Sequence, residues 1–571
     1  MSRDDDALLA EARAWVEEDP DPETRAELSA LIDAWRLDEL RERFGAPLEF
    51  GTAGLRGVVG AGPSRMNQSV VERTTRAVAA HLLASHADAT TLLVVVGFDA
   101  RTTSRRFADA AIRVLTLAGI RVRHFVEPCP TPLVAFAARE LGATAAIVVT
   151  ASHNPAEYNG YKLYGSNAVQ IVPPVDADIE RLIRERDAPP TATAPATAEP
   201  FDGDIVERYL ARLDEERPGG DRERTLAIVY TPLHGVGGVL ATSALARAGF
   251  TDVAVVPEQA APDGTFPTAR SPNPEEPGTL ALAVKLASSR GAKLVLANDP
   301  DADRLAVSVP AETSGYRALT GNQIGVLLAD FVLSRTTWQP RPLVVTTIVS
   351  SPMLAVLARE HDARHEVTLT GFKWIWTAAL ALEELEGVRF TFGYEEAIGF
   401  SVGRGVRDKD GIAAAVWFAE LAADCAGRGE TVLDRLAALH RRHGLWASAQ
   451  HAITRRGPGG TSELISSLDV AVKMPPTTLA SRKVCNVVDY RDGAENRPPW
   501  LPASPLVLVD LGTEGRVLLR PSGTEPKLKI YADLRRDVTT ADDASWKSES
   551  ALESDARAAA RELAVHVGLE A

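Results

Sequence analysis

Residues 145–165, reading AAIVVTASHNPAEYNGYKLYG, constrain the fold more than any other stretch of the chain. The run Ala146-Ile147-Val148-Val149 is apolar and β-branched with no polar alternation, the pattern of a strand buried on both faces of a parallel sheet. Thr150-Ala151-Ser152-His153-Asn154-Pro155 ends it abruptly, because small, hydroxyl and amide residues before a proline do not extend a strand. Open α/β sheets place their ligands at such carboxyl ends. Ser152 is then a hydroxyl positioned to act as a nucleophile. His153 and Lys162 nearby could move protons or hold negative charge. Read alone, S-H-N-P is more often an ordinary polar turn, so the rest of the chain has to decide.

The same strand-then-polar-loop pattern recurs. A helix is expected over 67–85 and a strand over 92–96, ending in Gly97-Phe98-Asp99-Ala100-Arg101, followed by a helix through 117. This alternation up to Ser152 predicts a parallel sheet with covering helices. A second short apolar strand, 293–298, ends in Asp299-Pro300-Asp301-Ala302-Asp303-Arg304. Carboxylates at i, i+2 and i+4 project to one side of an extended segment. Crowding three like charges is unfavourable unless a cation neutralises them. Oxygen-only ligands favour a hard cation, Mg²⁺ above Zn²⁺. The alternative is a solvated acidic turn, which the position directly after a buried strand disfavours.

A third alternating region starts near Thr320. It holds a strand at 343–348, then Thr370-Gly371-Phe372-Lys373, then a strand at 389–392 ending in Gly393-Tyr394-Glu395-Glu396-Ala397-Ile398-Gly399. Paired glutamates at a strand end suit bidentate contacts to sugar hydroxyls, or are plain surface charge. The loop 406–411 adds Arg407 and Lys409, and the apolar helix 412–425 reads as core. After about residue 442 the pattern changes. Residues 457–461 and 475–476 are loop-like, and 506–509 and 517–519 read as antiparallel strands around a turn. Arg520-Pro521-Ser522-Gly523-Thr524 follows, with guanidinium, hydroxyl and backbone N–H donors suited to a phosphate. A strand at 529–533 and a helix at 547–567 close the chain.

At the other end, 4–18 and 23–44 read as an accessory pair of helices broken by Asp19-Pro20-Asp21-Pro22. The loop 50–57, FGTAGLRG, is glycine-rich and holds Arg56, a residue able to fork onto phosphate. The Pro/Ala/Thr-rich segment 187–200 reads as a linker or surface loop. Residues 262–277 are Pro-rich and irregular.

With 571 residues, about four domains of roughly 150 residues are expected. A net charge of −15, from 62 basic and 77 acidic residues, argues against nucleic acid or an anionic membrane as the main partner, but not against an anionic small substrate met by local basic groups. Cys129, Cys425 and Cys485 are far apart and form no CxxC pair, so neither a disulfide framework nor a structural zinc site is expected, and a reducing compartment is. The acidic N-terminus lacks the apolar core of a signal peptide. No apolar run approaches the roughly 20 residues that span a bilayer. The expectation is a soluble, cytoplasmic protein.

TASHNP with NGYK, DPDADR, GYEEAIGF and RPSGTEP occur in that order at wide spacing. The chain therefore resembles the α-D-phosphohexomutase superfamily of phosphoglucomutases, phosphomannomutases and phosphopentomutases. FGTAGLRG and PDGTFPTARSPNPE point to its phosphoglucomutase-2-like branch. The resemblance covers nearly everything from Phe50 to Tyr531. It implies an α/β fold of four domains around a central cleft, three of similar mixed α/β topology and a smaller C-terminal α+β domain. The expected division is a helical extension, 1–45, then 46–205 with the phosphoserine loop, 206–318 with the metal loop, 319–440 with the sugar loop and 441–571 with the phosphate loop.

The resemblance further implies a mutase that interconverts the 1- and 6-phosphates of glucose or mannose through a phosphoserine enzyme and a sugar bisphosphate that also serves as activator. Phosphopentomutase activity, ribose or deoxyribose 1-phosphate to 5-phosphate, is the alternative, and a metal-dependent sugar phosphatase a more distant one. Ser152 would carry the phosphoryl group. Asp299, Asp301 and Asp303 would hold one Mg²⁺ with an oxygen on Ser152. Lys162 is the choice for general acid/base, with His153 and Lys409 weaker candidates. Arg304 and Arg56 would stabilise phosphoryl charge. Glu395 would read sugar hydroxyls, and Thr370, Gly371, Lys373 and Lys409 would contact substrate. Arg520, Ser522, Gly523 and Thr524 would clamp the non-reacting phosphate. Many hexose members carry Glu-x-Ser in the sugar loop, and Ala397 occupies the Ser place here, which leaves the preferred sugar open. The expected partner is a small sugar phosphate, with the protein a monomer or homodimer.

Overall fold

The computed structural model describes residues 3–51, 54–86, 88–185, 195–218, 224–311, 315–335, 340–455, 460–521, 527–540 and 542–570. The chain divides into two compact units, Met1–Pro310 with Gly399–Val416, and Ala311–Ile398 with Trp417–Ala571.

The first unit opens with three helices, Arg3–Glu18, Pro22–Asp33 and Leu37–Phe44. Asp21 caps the second by accepting from Glu23 N, with Pro22 at the first helical position, where its missing N–H costs nothing. The single helix expected over 23–44 is in fact two. Trp35 turns into the left-handed region at φ 53, and Arg36 N closes back on Leu31 O at 3.0 Å. No glycine or proline marks that break. Leu9, Ala12, Trp15, Leu28, Ile32 and Leu40 pack into a small core of their own, each such buried apolar side chain stabilising by up to about 1.5–3 kcal/mol.

The first sheet contains β1 (Leu55–Val58), β2 (Leu93–Phe98), β3 (Arg121–His124), β4 (Ala145–Val149), β5 (Tyr158–Tyr164) and β6 (Ala198–Pro200), in the order β1-β5-β4-β2-β3-β6. β2 runs parallel to β3 and β4, while β5 is antiparallel to β4 and β1. Every residue of β4 is buried, as its unbroken apolar run required. Helices Gln68–Ser85 and Ser104–Leu117 pack their apolar sides onto Val94, Val96, Ile147 and Val149. Part of the expected linker is instead β6, an exposed edge strand pairing Ala198 with Val122. An edge strand needs only backbone partners, so it lacks the apolar signal of a core strand. Residues 186–194 of that stretch lie outside the described residues.

The second sheet places β7 (Ile228–Thr231), β8 (Val253–Val255), β9 (Leu294–Asn298) and β10 (Leu305–Ala311) in the order β10-β9-β7-β8. β7 is parallel to both β8 and β9, and β10 returns antiparallel to β9.

In the second unit the strands Pro342–Thr347, Arg364–Thr368 and Arg389–Glu395 are parallel. Helices Gly321–Leu333, Met353–Glu360 and Phe372–Glu386 accompany them. Thr320 and Gln323 form a reciprocal capping box at the first of these, a pairing that satisfies two otherwise orphaned N–H groups. The strand expected to stop at 392 runs on to Glu395. Leu445–Thr454, Lys527–Arg536, Gly515–Pro521, Val507–Asp510 and Asn486–Asp489 then form an antiparallel sheet. It shares an apolar core with helices Gly460–Lys473 and Trp546–His566. The fold is thus α/β, with three parallel-stranded α/β regions and a smaller α+β region at the C-terminus. Among the described residues no helix is long and apolar enough to cross a membrane.

Candidate active site

In the first unit the polar loops that end β2, β4 and β9 meet side chains from β5. After β4, Thr150 donates to Asp99 Oδ2 at 2.6 Å and accepts from Ser152 N at 2.9 Å. The chain turns sharply there, and Ser152 sits at φ 52, a conformation that costs a residue with a side chain roughly 1–2 kcal/mol. Ser152 is 1% exposed. Its Oγ donates to Asp299 Oδ2 at 2.6 Å and lies 3.1 Å from His153 Nδ1.

Asp299, Asp301 and Asp303 are buried, and one carboxylate oxygen from each lies within 4.8 Å of the others. They do not converge along an extended segment, as their spacing suggested. A turn gathers them, with Ala302 at φ 57 and its N–H donating to Asp299 O at 2.8 Å. Alternate side chains on a strand stand about 6.6 Å apart, too far for a shared ion.

Lys162, opposite Val148 in the β4–β5 register, is fully buried. Its Nζ donates to Asp301 Oδ2 and Asp303 Oδ2, both at 2.7 Å. Burial works against this charge, but the two carboxylates outweigh it and raise the Lys162 pKa. Asp301 is held below the usual carboxylate range: burial pushes it up, and the Lys162 charge with hydrogen bonds from Lys162 and Thr131 reverses that. Asp299 moves the other way, raised by burial and then by the Asp301 and Asp303 charges.

Lys409 Nζ lies 3.3 Å from Asp303 Oδ2 and 3.3 Å from Asp408 Oδ1. Its segment approaches the acidic loop closely because residue 411 is glycine, where a Cβ would sit 2.2 Å from Arg304 O. Arg304 N donates to Asp299 Oδ1 at 3.0 Å, and its Nε is 3.8 Å from Asp303 Oδ1. Arg56 on β1 donates to Asn154 Oδ1 at 3.0 Å. Burial first, then the Arg304 and Arg56 charges, push His153 well below its usual pKa, so its ring is neutral at pH 7.

Ser152, His153, Lys162, the three aspartates, Arg304, Arg56 and Lys409 thus share one neighbourhood. Asp301 Oδ1 and Asp303 Oδ1 are buried without a hydrogen-bond partner among the described residues. Leaving such oxygens unpaired is costly. With Asp299 and Ser152 Oγ they form an all-oxygen donor set that fits a hard divalent cation such as Mg²⁺.

The second unit holds the other candidates. Glu395 closes the strand Arg389–Glu395 and is buried. Glu396 N donates to Ser350 Oγ at 3.1 Å. Burial and then the Glu395 charge push Glu396 up to about 7, with Lys529 and Arg520 pulling against them. Arg520 is therefore close enough to Glu396 for their charges to interact. Gly371, at φ 116, precedes helix Phe372–Glu386; Thr370 Oγ1 is buried without a hydrogen-bond partner among the described residues, and Lys373 Nζ sits 5.8 Å from the Trp374 ring centre. Ser522, Gly523 and Thr524 lie outside the described residues.

Several residues here went unassigned from sequence. Asp99 anchors Thr150, Ser104 and Arg101. Its place directly after an apolar strand, like that of Ser152, was a usable signal. Thr131 donates to Asp301 Oδ2 at 2.7 Å, and Tyr164 and Gln170 donate to Asp408 Oδ2 at 2.6 and 2.7 Å; nothing local marks these.

Models of the phosphoglucomutase/phosphomannomutase α/β/α domains I, II and III match residues 47–189, 207–312 and 320–442, and that of the C-terminal domain matches 475–543. A protein of Schizosaccharomyces pombe named probable phosphoribomutase is 36% identical over 543 residues, covering 90% of this chain and 92% of its own. The Mus musculus phosphopentomutase is 34% identical over 580 residues, covering 95% and 93%. The crystal structure of a phosphoglucomutase/phosphomannomutase family protein from Burkholderia thailandensis superposes with a TM-score of 0.67 at 22% identity, covering 91% of this chain and 98% of that one. With all four domain models matched in order, the chain belongs to the phosphoglucomutase/phosphomannomutase family of the α-D-phosphohexomutase superfamily and is a phosphosugar mutase.

Proposed function

We propose that this mutase prefers pentose phosphates, interconverting the 1- and 5-phosphates of ribose or deoxyribose, with glucose and mannose 1- and 6-phosphates as poorer substrates. Two features support the pentose over the hexose reading. Relatives named for ribose or pentose phosphates align over at least nine-tenths of the chain. Ala397 also stands where many hexose members carry a serine, so one hydrogen bond available to a hexose is missing from the loop assigned to sugar recognition.

The observation that carries the mechanism is Ser152 Oγ at 2.6 Å from Asp299 Oδ2, within the buried triad bridged by Lys162. Ser152 carries the phosphoryl group. In the first half of the cycle the P–O bond to Ser152 breaks as a bond to the free sugar hydroxyl forms, giving a sugar bisphosphate. In the second half the other phosphate returns to Ser152 and the isomeric monophosphate leaves. Lys162, kept protonated by Asp301 and Asp303, is assigned the general-acid half of the proton transfers at the sugar hydroxyl, and neutral His153, within reach of Ser152 Oγ, is the group able to accept a proton. Arg304 and Arg56 stabilise charge on the transferring group. Ser152 and the three aspartates would hold one Mg²⁺, which when bound neutralises charge on the transferring phosphoryl.

Glu395 is assigned to the sugar hydroxyls. Thr370, Gly371, Lys373, Lys409, Arg520, Ser522, Gly523 and Thr524 are assigned to the remaining sugar and phosphate contacts. A sugar bisphosphate serves as activator, and the setting is cytoplasmic, as monomer or homodimer. The domain limits 46–205, 206–318, 319–440 and 441–571, after the helical extension 1–45, are proposed with this reading.

A panel of ribose 1-, glucose 1- and mannose 1-phosphate, with Mg²⁺ and a bisphosphate activator, tests it. The expected result is a kcat/KM for ribose 1-phosphate at least about 10-fold above the others. A hexose at the top of the series would refute the pentose assignment. Phosphate released faster than isomer would favour the phosphatase alternative.

A further inference from the structure

Arg101 donates four side-chain hydrogen bonds to the nucleophile loop, and the cycle above gives it no role. It follows β2 in a loop, and its side chain is 1% exposed. Nη1 donates to Pro155 O at 2.6 Å and Tyr158 O at 2.9 Å, while Nη2 donates to Ser152 O at 2.8 Å and to Asn154 O. Four carbonyls of the nucleophile loop therefore point at one guanidinium. Asp99 orients the arrangement: its Oδ1 accepts from Arg101 N at 3.0 Å, and its Oδ2 lies 3.3 Å from Arg101 Nε and accepts from Thr150. A planar fork with five fixed donors suits such a ring of carbonyls, which an ammonium does not reproduce.

A second element closes over this cage. The irregular stretch 262–277, which the sequence marked as a branch signature but which no step of the mechanism uses, lays Phe266 against Arg101. The guanidinium carbon is 5.1 Å from the ring centre, and Phe266 is 3% exposed. The approach requires glycine at 264, where a Cβ would stand 2.4 Å from Ala100 O and 2.5 Å from Arg101 Cα. The stretch is fastened to the loop after β7: Asp263 N donates to His234 O at 2.8 Å, and His234 Nε2 lies 2.9 Å from Thr268 Oγ1. That loop in turn bonds the metal loop, through Val236 N to Pro300 O at 2.8 Å. Ser152 and the aspartates are thus tied through one continuous chain of contacts, Ser152 loop to Arg101 to Phe266 to His234 loop to Pro300.

We propose that Arg101 is a positioning residue for phosphoryl transfer, and that residues 262–269 hold it there through Phe266, so that Ser152 and the three aspartates keep one mutual geometry. This rests on the mutase reading above. The reason for such a device is the narrow geometry of phosphoryl transfer, in which a misplacement of about 1 Å costs on the order of 100-fold in rate. Both side chains are buried and spend these contacts on protein groups, so the effect belongs to kcat rather than to KM.

The test compares Arg101→Lys, Phe266→Leu and the double variant with the wild type. Isomerisation of ribose 1-phosphate and glucose 1-phosphate is measured below the unfolding midpoint of every variant, and phosphate on Ser152 after incubation with glucose 1,6-bisphosphate is counted by intact mass. R101K is expected to lower kcat about 100-fold with KM within about 2-fold. F266L, which keeps an apolar filler, is expected to lower kcat about 3- to 30-fold. Phe266 acts through Arg101, so the double variant should match R101K within about 2-fold. If R101K folds poorly, F266L alone still has to show the kcat loss at unchanged KM. The proposal is overturned if kcat stays within 2-fold of wild type in both single variants, if the loss falls on KM, or if the two losses multiply. A wild type that isomerises neither sugar would instead refute the mutase reading, which separates the two failures.

Discussion

Two strand-end loops carry the assigned chemistry, and they are held very differently. The loop after β4 is gripped by a buried guanidinium, by Asp99 through Thr150, and by Asp299 through the Ser152 hydroxyl. The end of strand Arg389–Glu395 hangs on less: Glu396 N to Ser350 Oγ at 3.1 Å, and Thr347 Oγ1 to Glu396 Oε2 at only 3.5 Å. Bond making demands fixed atoms, whereas reading hydroxyls tolerates an intervening water. The chain concentrates buried, oppositely charged groups where the phosphoryl group is assigned to move. It leaves a carboxyl that titrates near neutrality where the sugar is assigned to be read.

If that contrast is right, Ser152→Ala should lower isomerisation by at least about 10⁴-fold, because a covalent carrier has no substitute. Isothermal titration with glucose 1-phosphate should still show binding. Activity that survives in S152A would erase the distinction between the loops. Next, Asp301→Asn should cost about 10²–10³-fold in kcat, and a chelator should reproduce the loss in the wild type, with recovery on added Mg²⁺. Steady-state rates before and after dialysis decide this.

Glu396 gives a smaller effect with a definite sign. It is pushed up to about 7 from 4.5, so between those values the folded chain keeps a proton that the unfolded chain has released. That contribution to stability is full below pH 4.5 and is lost as pH rises through about 7. Glu396→Gln should flatten the decline, raising stability at pH 8 by roughly 1–2 kcal/mol once solvent screening of a half-buried carboxyl is allowed for. Urea midpoints from pH 5 to 8 measure it; parallel curves for E396Q and wild type would show that the sugar loop does not titrate there. The smallest effect expected is from Ala397→Ser. Restoring one hydroxyl should shift the hexose-to-pentose ratio of kcat/KM by about 2- to 10-fold toward hexose, as competition between the two 1-phosphates would reveal.

The sequence was most legible where one element decides its own structure. The unbroken apolar run 146–149 carries the pattern of a buried strand and lies within one, and the helix expected over 67–85 starts at Asn67, which caps it. Motif order was enough to indicate the superfamily. What escaped notice depends on partners distant in sequence. The break at Trp35 has no local marker and follows from how the flanking helices pack. Strand Leu445–Thr454 alternates buried with less buried residues over most of its length, a period-two signal blurred by the small inward Ala447 and Ala449 and by Trp446 and Ala452 on the outer face. At the site, each aspartate was legible as a potential ligand, but their convergence needed the Ala302 turn. Arg101 and Thr131 act on loops tens of residues away or more, 51 for Arg101 with Ser152 and 170 for Thr131 with Asp301, so no window of sequence contains both ends.

The left-handed backbone at Ser152 acts as a filter on which amino acid can take the carrier role assigned to this position. Threonine offers the same hydroxyl, but a β-branched side chain at φ 52 is a genuine misfit. Aspartate and asparagine tolerate this region, yet aspartate would set a fixed fourth carboxylate among three that already crowd one another, and asparagine has no nucleophilic hydroxyl to phosphorylate. Glycine would fit the backbone and bring no nucleophile. Of these residues only serine meets both demands, so the turn geometry restricts which alcohol could serve as the assigned carrier.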